Sequence, residues 1–271
     1  MAYHLGIIGA GNMAEAIVRG VLRGKVLSAD QILAADVSLA RRELFANELG
    51  VRAVETNAQL LQHKPRCVLL SVKPQQMATV LGELAPELSA DTLLISIAAG
   101  ISSAFIAEHL GTRAAWRVIR TMPNTPMLVG QGMVAISRGS NATTDDLAQA
   151  RRIFECAAEV LEIPETLMDA VTAVSGSGPA YVFYLVERMI QAGIDLWLSP
   201  DDARKLAVQT VVGAAAMLAS SGDSPAELRR KVTSPGGTTQ AAITHLDEHG
   251  VGDRIRQAVI AAAKRSRELG A

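Results

Sequence analysis

The chain opens on an apolar run, a glycine turn and a helix, an order that few folds accommodate. The residues are Ile7-Ile8-Gly9-Ala10-Gly11-Asn12-Met13-Ala14, a strand that leads through G-x-G-x-x-A into a helix. The glycines permit a tight turn and the close approach of a pyrophosphate. Ala14 lets the helix pack tightly on the strand, and the free amides at the helix start favour phosphate. Such a fingerprint is weak alone and gains its meaning from the strand before it and the helix after it.

Strand and helix continue to alternate beyond this turn. His4–Ile8, Ile32–Asp36, Cys67–Val72, Leu93–Ile97 and Ala115–Ile119 read as strands, with helices over Ala14–Leu22, Leu39–Leu49 and Gln76–Leu84. This spacing predicts a parallel sheet covered by helices. Met133–Ser137 reads as a further strand. A helix over Asp145–Ala157, capped by Thr143 or Thr144, and a last strand, Val160–Ile163, close the first part at Pro164. Beyond Pro164 strand signals vanish. Tyr181–Leu196 has helical apolar spacing, and Ser199-Pro200-Asp201-Asp202 and Ser224-Pro225-Ala226-Glu227 are helix starts with capping serines. Ala203–Ala219 and Ile255–Leu269 are alanine-rich helices, apolar around much of their girth. Burial against a second copy of the chain is the economical solution, so a homodimer is expected.

Composition narrows the partners. A formal net charge of −1 over 271 residues gives no reason to expect nucleic acid or an anionic membrane. Aromatics make up 3% of the chain, too few for base-stacking platforms. Cys67 and Cys156 are far apart and form no CxxC, which suggests a reducing cytoplasm. With no signal peptide and no apolar run long enough to span a bilayer, a soluble cytoplasmic protein is expected. His245 and His249 have a metal-like spacing but no evident third ligand, so they read as surface residues and no metal is expected.

Several segments end strands or open helices where ligands gather. Asp36 closes the second strand, where an acid bonds the adenosine ribose of NAD and repels an extra phosphate. Arg41 and Arg42 come soon after and could attract that phosphate, or stand as solvated charges on a helix face. Asn57 stands at another helix start, where it could be an N-cap. Ser71-Val72-Lys73-Pro74 and Ala98-Ala99-Gly100 end two strands of the sheet, where position alone brings loops to a cofactor. Arg120-Thr121-Met122-Pro123-Asn124-Thr125-Pro126 is a stiff loop that Asn124 could lock, as a rigid turn or as part of the site. Ser175-Gly176-Ser177-Gly178-Pro179 opens a helix, with Ser177 or Gly178 as its cap and Pro179 at its first position. It is not the G-x-S-x-G of a serine nucleophile. Ser234-Pro235-Gly236-Gly237-Thr238-Thr239 joins two adjacent glycines to hydroxyls and amides at a helix start. It is either a plain helix-to-helix turn or a seat for a carboxylate.

Taken together and in this order, Gly9-x-Gly11-x-Met13, Val72-Lys73-Pro74, Met122-Pro123-Asn124-Thr125-Pro126, Ser175 through Tyr181 and Ser234 through Thr239 resemble the pyrroline-5-carboxylate reductase family over essentially the full length. The resemblance implies an α/β architecture. A Rossmann-type dinucleotide-binding domain, residues 1–164, would precede an all-helical dimerisation and substrate-binding domain, residues 165–271. It implies reduction of the ring imine of Δ1-pyrroline-5-carboxylate to L-proline with NADPH or NADH, the last step of proline biosynthesis. By the same resemblance, Ile8, Gly9, Ala10, Gly11, Asn12 and Met13 would hold the pyrophosphate and Asn57 would contact the adenosine ribose. Ser71, Val72, Lys73 and Pro74 with Ala98, Ala99 and Gly100 would hold the nicotinamide half, and Met122 and Pro123 would lie on the cofactor side of the pocket. Ser234, Gly237 and Thr238 would receive the substrate carboxylate, Thr239 would act at the ring nitrogen, and Thr172 and Ser177 would line the same pocket. The substrate turn would come from the neighbouring subunit. Asp36 departs from the small hydroxylated residue usual in NADP-preferring members, which leaves NADH against NADPH open.

Two other readings fit a two-domain plan. A hydroxyacid dehydrogenase would place a catalytic lysine in the first helix of the second half, but Tyr181–Leu196 contains none. A dinucleotide sensor without catalysis would have no use for the glycine–threonine turn.

Overall fold

The protein is described by a computed structural model over residues 3–270, so the outermost residues of the two expected domains, 1–2 and 271, lie outside the described part. Strand and helix alternate as β1 (Leu5–Ile8), α1 (Asn12–Arg23), β2 (Ile32–Ala35), α2 (Leu39–Leu49), β3 (Arg52–Val54), α3 (Asn57–Leu61), β4 (Cys67–Leu70), α4 (Met77–Leu84), β5 (Leu93–Ser96) and α5 (Ser103–Leu110). Then come β6 (Arg117–Pro123), β7 (Gly132–Arg138), α6 (Thr144–Phe154) and β8 (Ala158–Glu162). The strands form one sheet in the order β3-β2-β1-β4-β5-β6-β7-β8. Strand order reverses between β1 and β4, and the crevice outside that point is where open sheets of this kind take ligands.

The central strands are buried on both faces, which is why they read as unbroken apolar runs. Side chains alternate between two cores. Leu5 and Ile7 join Ile17, Val18, Val21, Phe45 and Phe154 on one side. Ile8 joins Leu60, Met77, Leu81, Leu84 and Ile106 on the other. Cys67 sits in the first of these cores at 1% exposure, where burial pushes its thiol up and keeps it protonated.

The parallel sheet expected from the alternation carries one antiparallel pair at its far end. The neighbouring strands from β3 across to β6 are parallel, but β7 runs antiparallel to β6 and β8 is parallel to β7. Only a short 3₁₀ segment, Thr125–Val129, joins β6 to β7, too little for the crossover that parallel pairing requires. The same pairing lengthens β6. Met122 stands opposite Ala135 and Pro123 opposite Val134, so both lie on a strand and not in the loop expected after Ile119. β3 and α5 were not anticipated: β3 is a short edge strand with an exposed arginine, and α5 starts on Ser102, whose hydroxyl accepts from Phe105 N–H.

The chain divides into two compact units, one running up to Ser177 and taking in the residues from Ala261 on, the other spanning Gly178–Ile260. The sheet ends before Pro164, yet the segment after it stays with the first unit. The turn Glu165–Leu167, α7 (Met168–Val171) and a π-helical turn, Thr172–Gly176, bury Met168 and Ala173 almost completely. Glu165 accepts from Ser103 N–H at 2.7 Å and from its hydroxyl at 2.5 Å. The end of α12 (Val251–Leu269) is tied to the same segment, because the buried Ser266 donates to Asp169 at 2.7 Å.

The second unit holds α8 (Gly178–Asp195), α9 (Pro200–Ser220), α10 (Pro225–Lys231), α11 (Thr238–Glu248) and the start of α12. The serines before α9 and α10 cap them as expected, Ser199 accepting from Asp202 N–H and Ser224 from Glu227 N–H. Among the described apolar residues of this unit, only Ala203 and Ala207 are buried. Phe183, Leu185, Leu206 and Val212 are each more than half exposed. That apolar surface is far larger than scattered surface hydrophobes would leave.

One expectation at the unit boundary fails instructively. α8 does not begin on a capping Ser177 or Gly178, because the chain runs into it through the π turn, with Ser177 N–H donating to Thr172 C=O at 2.8 Å. Pro179 has no N–H, so Ser175 C=O lacks its partner four residues on. Asn124 Nδ2 lies 3.3 Å from that carbonyl and the same distance from the Ser175 hydroxyl, while Asn124 Oδ1 accepts from Met133 N–H at 2.9 Å. One buried side chain therefore ties β6, β7 and the π turn together. Asn124→Ala leaves two backbone groups unpaired and should lower stability by about 2–4 kcal/mol. Urea unfolding of the variant checks this, and a loss below measurement would mean that water or a neighbour replaces the amide.

Candidate active site

A cleft of about 870 Å³ opens at the carboxyl ends of β1, β2 and β4, at the strand-order reversal. Ile8, Gly9, Gly11, Asp36, Asn57, Ser71, Val72 and Lys73, all expected at a dinucleotide, line it. Gly9 has φ +91°, and a Cβ there would lie 2.8 Å from Ser71 C=O, so the turn requires glycine. At Gly11 the would-be Cβ meets no protein atom within 4 Å, which leaves room for a ligand at the start of α1. Gly11 is also the N-cap of α1 and brings no side-chain cap, so the first-turn amides stay available.

Inside the cleft, the Ser71 hydroxyl is buried without a hydrogen-bond partner, the one such side-chain atom among the described residues. An orphaned hydroxyl beside an open glycine turn and free helix amides fits a dinucleotide. Here the ribose and phosphate oxygens would satisfy Ser71 and the α1 amides.

Ala10 plays a different part from the one expected. It is fully buried, and its N–H donates to Asp36 Oδ2 at 2.7 Å, so it fixes the turn and offers no free donor. Asp36 also accepts from Ser38 N–H at 2.8 Å. Arg41 donates to Ala10 C=O at 2.5 Å and pairs with Glu15 at 2.9 Å. Burial pushes the Glu15 carboxyl up, but the hydrogen bonds from Arg19 and Arg41 outweigh it and hold the group below its usual range. Arg42 donates to the carbonyls of Asp36 and Val37, both at 2.9 Å. Neither arginine is a free solvated charge; both brace the loops around Asp36.

Asn57 is the first residue of α3, not its cap. Thr56 caps the helix, and the Asn57 amide donates to Glu83 Oε2 at 2.9 Å across the cleft. Glu83 belongs to a stripe on α4 and the turn before it, Gln76, Thr79, Val80 and Glu83, which lines the cleft and was not anticipated. The spacing i, i+3, i+4, i+7 was a usable signal that these residues share one face.

Asn12 stands exposed at the first position of α1, Met13 packs against the core beneath it, and Pro74 begins a 3₁₀ turn after Lys73. Ala98, Ala99 and Gly100 come after β5, with Gly100 at φ +79° set against the backbone of Ser266. Met122 and Pro123 end β6. The methyl of Met122 covers Gly176, close to the methyl of Thr172, so the first unit gathers Met122, Thr172 and the π turn that leads to Ser177.

In the second unit, Ser234 through Thr239 makes a tight turn, with Gly237 N–H donating to Ser234 C=O at 3.0 Å. Gly236 sits at φ +71°, which glycine accepts without strain. Gly236 N–H donates to Gln240 Oε1 at 2.5 Å. Gly237 is the N-cap of α11 and, unlike Ser199 and Ser224, contributes no side-chain cap. The first-turn amides, including those of Thr238 and Thr239, are therefore left for a ligand. Ser234 and Thr238 are exposed and Thr239 is half-buried. His249 Nδ1 lies 2.8 Å from His245 C=O, and the two rings pack together; among the described residues no cluster of three or more metal-binding side chains exists.

Comparison with known proteins agrees with both halves. Residues 165–269 match the family model described as pyrroline-5-carboxylate reductase dimerisation, and residues 4–100 match that of NADP oxidoreductase, coenzyme F420-dependent. The pyrroline-5-carboxylate reductase of Synechocystis is 42% identical over 100% of this chain and 99% of its own length. The solved pyrroline-5-carboxylate reductase of Coxiella burnetii superposes with a TM-score of 0.87 at 34% identity, covering 100% of both chains. The Plasmodium falciparum pyrroline carboxylate reductase, solved with NADP bound, gives a TM-score of 0.89 at 29% identity over 99% of this chain and 98% of that one. Glycine-capped helix starts in both halves and full-length kinship lead to one assignment: the chain belongs to the pyrroline-5-carboxylate reductase family.

Proposed function

We propose that this chain, an NAD(P)H-dependent reductase of Δ1-pyrroline-5-carboxylate, seats its coenzyme in the cleft at Gly9–Met13 and its substrate carboxylate on the amides that open α11. The observation that carries the reading is the bare start of α11. A helix N-terminus without a side-chain cap, beside two threonine hydroxyls, suits a small carboxylate.

The bound nicotinamide supplies the hydride. Everything else falls to the chain. Ser234, Gly237 and Thr238 fix the carboxylate, largely through main-chain donors. The Thr239 hydroxyl orients the ring nitrogen and relays to it, from solvent, the one proton that makes the imine an iminium before hydride reaches the ring carbon. Thr172, Ser177, Met122 and Pro123 wall the ring and keep water away. A protonated imine is already electrophilic, so no histidine acid is required. Orientation alone can remove on the order of several kcal/mol from the barrier.

The substrate turn serves the neighbouring copy's coenzyme in this reading, so a homodimer is the smallest active unit. Supporting it are the match to a dimerisation model and the exposed apolar surface of Gly178–Ile260. We place the enzyme in the cytoplasm: its cysteines are free, and no helix among the described residues is long and apolar enough to cross a membrane.

Thr239→Ala should lower kcat about a hundredfold while the Kd for reduced coenzyme stays put, and Thr239→Ser should restore most of the rate. Stopped-flow nicotinamide absorbance with pyrroline-5-carboxylate measures this; full turnover in the alanine variant removes Thr239 from the proton path. Phe183→Asp with Val212→Asp should convert the assembly to monomers in sedimentation and abolish turnover, yet leave coenzyme binding intact. Active monomers would contradict a shared site.

A further inference from the structure

We infer that this chain selects NADH over NADPH, with Asp36 as the principal discriminator and Glu55 and Glu83 reinforcing it. The inference rests on the reductase reading for its chemistry, but its geometry concerns only the adenosine end of the cleft. There the lining acids are Asp36, at the end of β2, Glu55, just after β3, and Glu83, on α4. Lys73 is the only cation among the residues that line the cleft, and it comes after β4, on the other side of β1 from β2. Two strand spacings, roughly 10 Å, therefore separate it from the ribose end.

An NADPH-selective site offers an arginine to the 2′-phosphate. Two arginines stand soon after Asp36 here, but neither lines the cleft, and both are engaged by the loops around Asp36. Arg41 is tied to Ala10 C=O and to Glu15, and Arg42 to the carbonyls of Asp36 and Val37. Freeing Arg41 would release the very loop that holds the pyrophosphate. Asp36 cannot swing aside either, since Ala10 N–H and Ser38 N–H grip its two oxygens. Glu83 is held across the cleft by Asn57. A 2′-phosphate, with roughly two negative charges, would meet the fixed carboxylates that line this end of the cleft, with the lining's one cation, Lys73, two strands away. The two ribose hydroxyls of NADH would instead find the remaining lone pairs of Asp36.

Isothermal calorimetry of NADH and NADPH binding to the intact enzyme tests this without reference to turnover. The expected result is NADH at least tenfold tighter at low ionic strength, with the gap narrowing as salt screens the acids. Asp36→Ser should move the Kd ratio at least tenfold toward NADPH. Glu83→Gln keeps an oxygen for Asn57 and should move it severalfold in the same direction, which covers the case in which Asp36→Ser disturbs the glycine turn. Arg42→Ala should leave the ratio unchanged. Equal or tighter binding of NADPH by the wild type, or a selective loss of NADPH in Arg42→Ala, overturns the inference. Reduction of pyrroline-5-carboxylate by both coenzymes with NADPH preferred would sink the preference and spare the reductase reading. Tight NADH binding with no reduction would do the reverse.

Discussion

A helix start carries amides that nothing within the helix can satisfy, and this protein uses that deficit in two ways. In five helices the deficit is met locally: Thr56, Ser102, Thr143, Ser199 and Ser224 each turn a hydroxyl back onto their own helix. Two helices, α1 and α11, begin instead on a glycine, Gly11 or Gly237, that has no side chain to offer. Their amides can be satisfied by phosphate in one case and by a carboxylate in the other. The proposed reaction, which needs no acid stronger than a hydroxyl, can be built largely from such backbone donors.

Backbone donors work only if the backbone is held still. The glycine turn is pinned from one side by Asp36 on Ala10 N–H and from the other by Arg41 on Ala10 C=O. Asn124 does the corresponding work at β6, filling the carbonyl that Pro179 leaves without a partner. In each case a proline or glycine that suits the site leaves a backbone defect, and a polar side chain distant in sequence repairs it.

This division also explains what could be read from the residues alone. The doubly buried strands announced themselves because both faces need apolar side chains, and the capping serines of α9 and α10 marked their helices because the cap signal is local. The glycine turns were legible for the same reason. Non-local features were not. The reversal of β7 depends on the shortness of its link to β6. The π turn before α8 depends on Asn124, and its local Ser-Gly-Pro pattern points to an ordinary cap. The fates of Arg41 and Glu83 depend on partners distant in sequence, such as the Ala10 carbonyl and Glu15 that hold Arg41, and no local pattern names those partners.

The central claim is that coenzyme and substrate are held by different copies of the chain, and subunit mixing addresses it most directly. Gly11→Asp puts a carboxylate into the open space where phosphate belongs and should silence coenzyme binding, while Thr239→Ala silences the substrate turn. Each variant alone should be nearly inactive. Unfolded together in equal amounts and refolded, they should regain about a quarter of the wild-type rate, because random pairing makes half the dimers mixed and each mixed dimer has one intact site. Recovery no greater than the sum of the two variants would contradict a site shared between subunits.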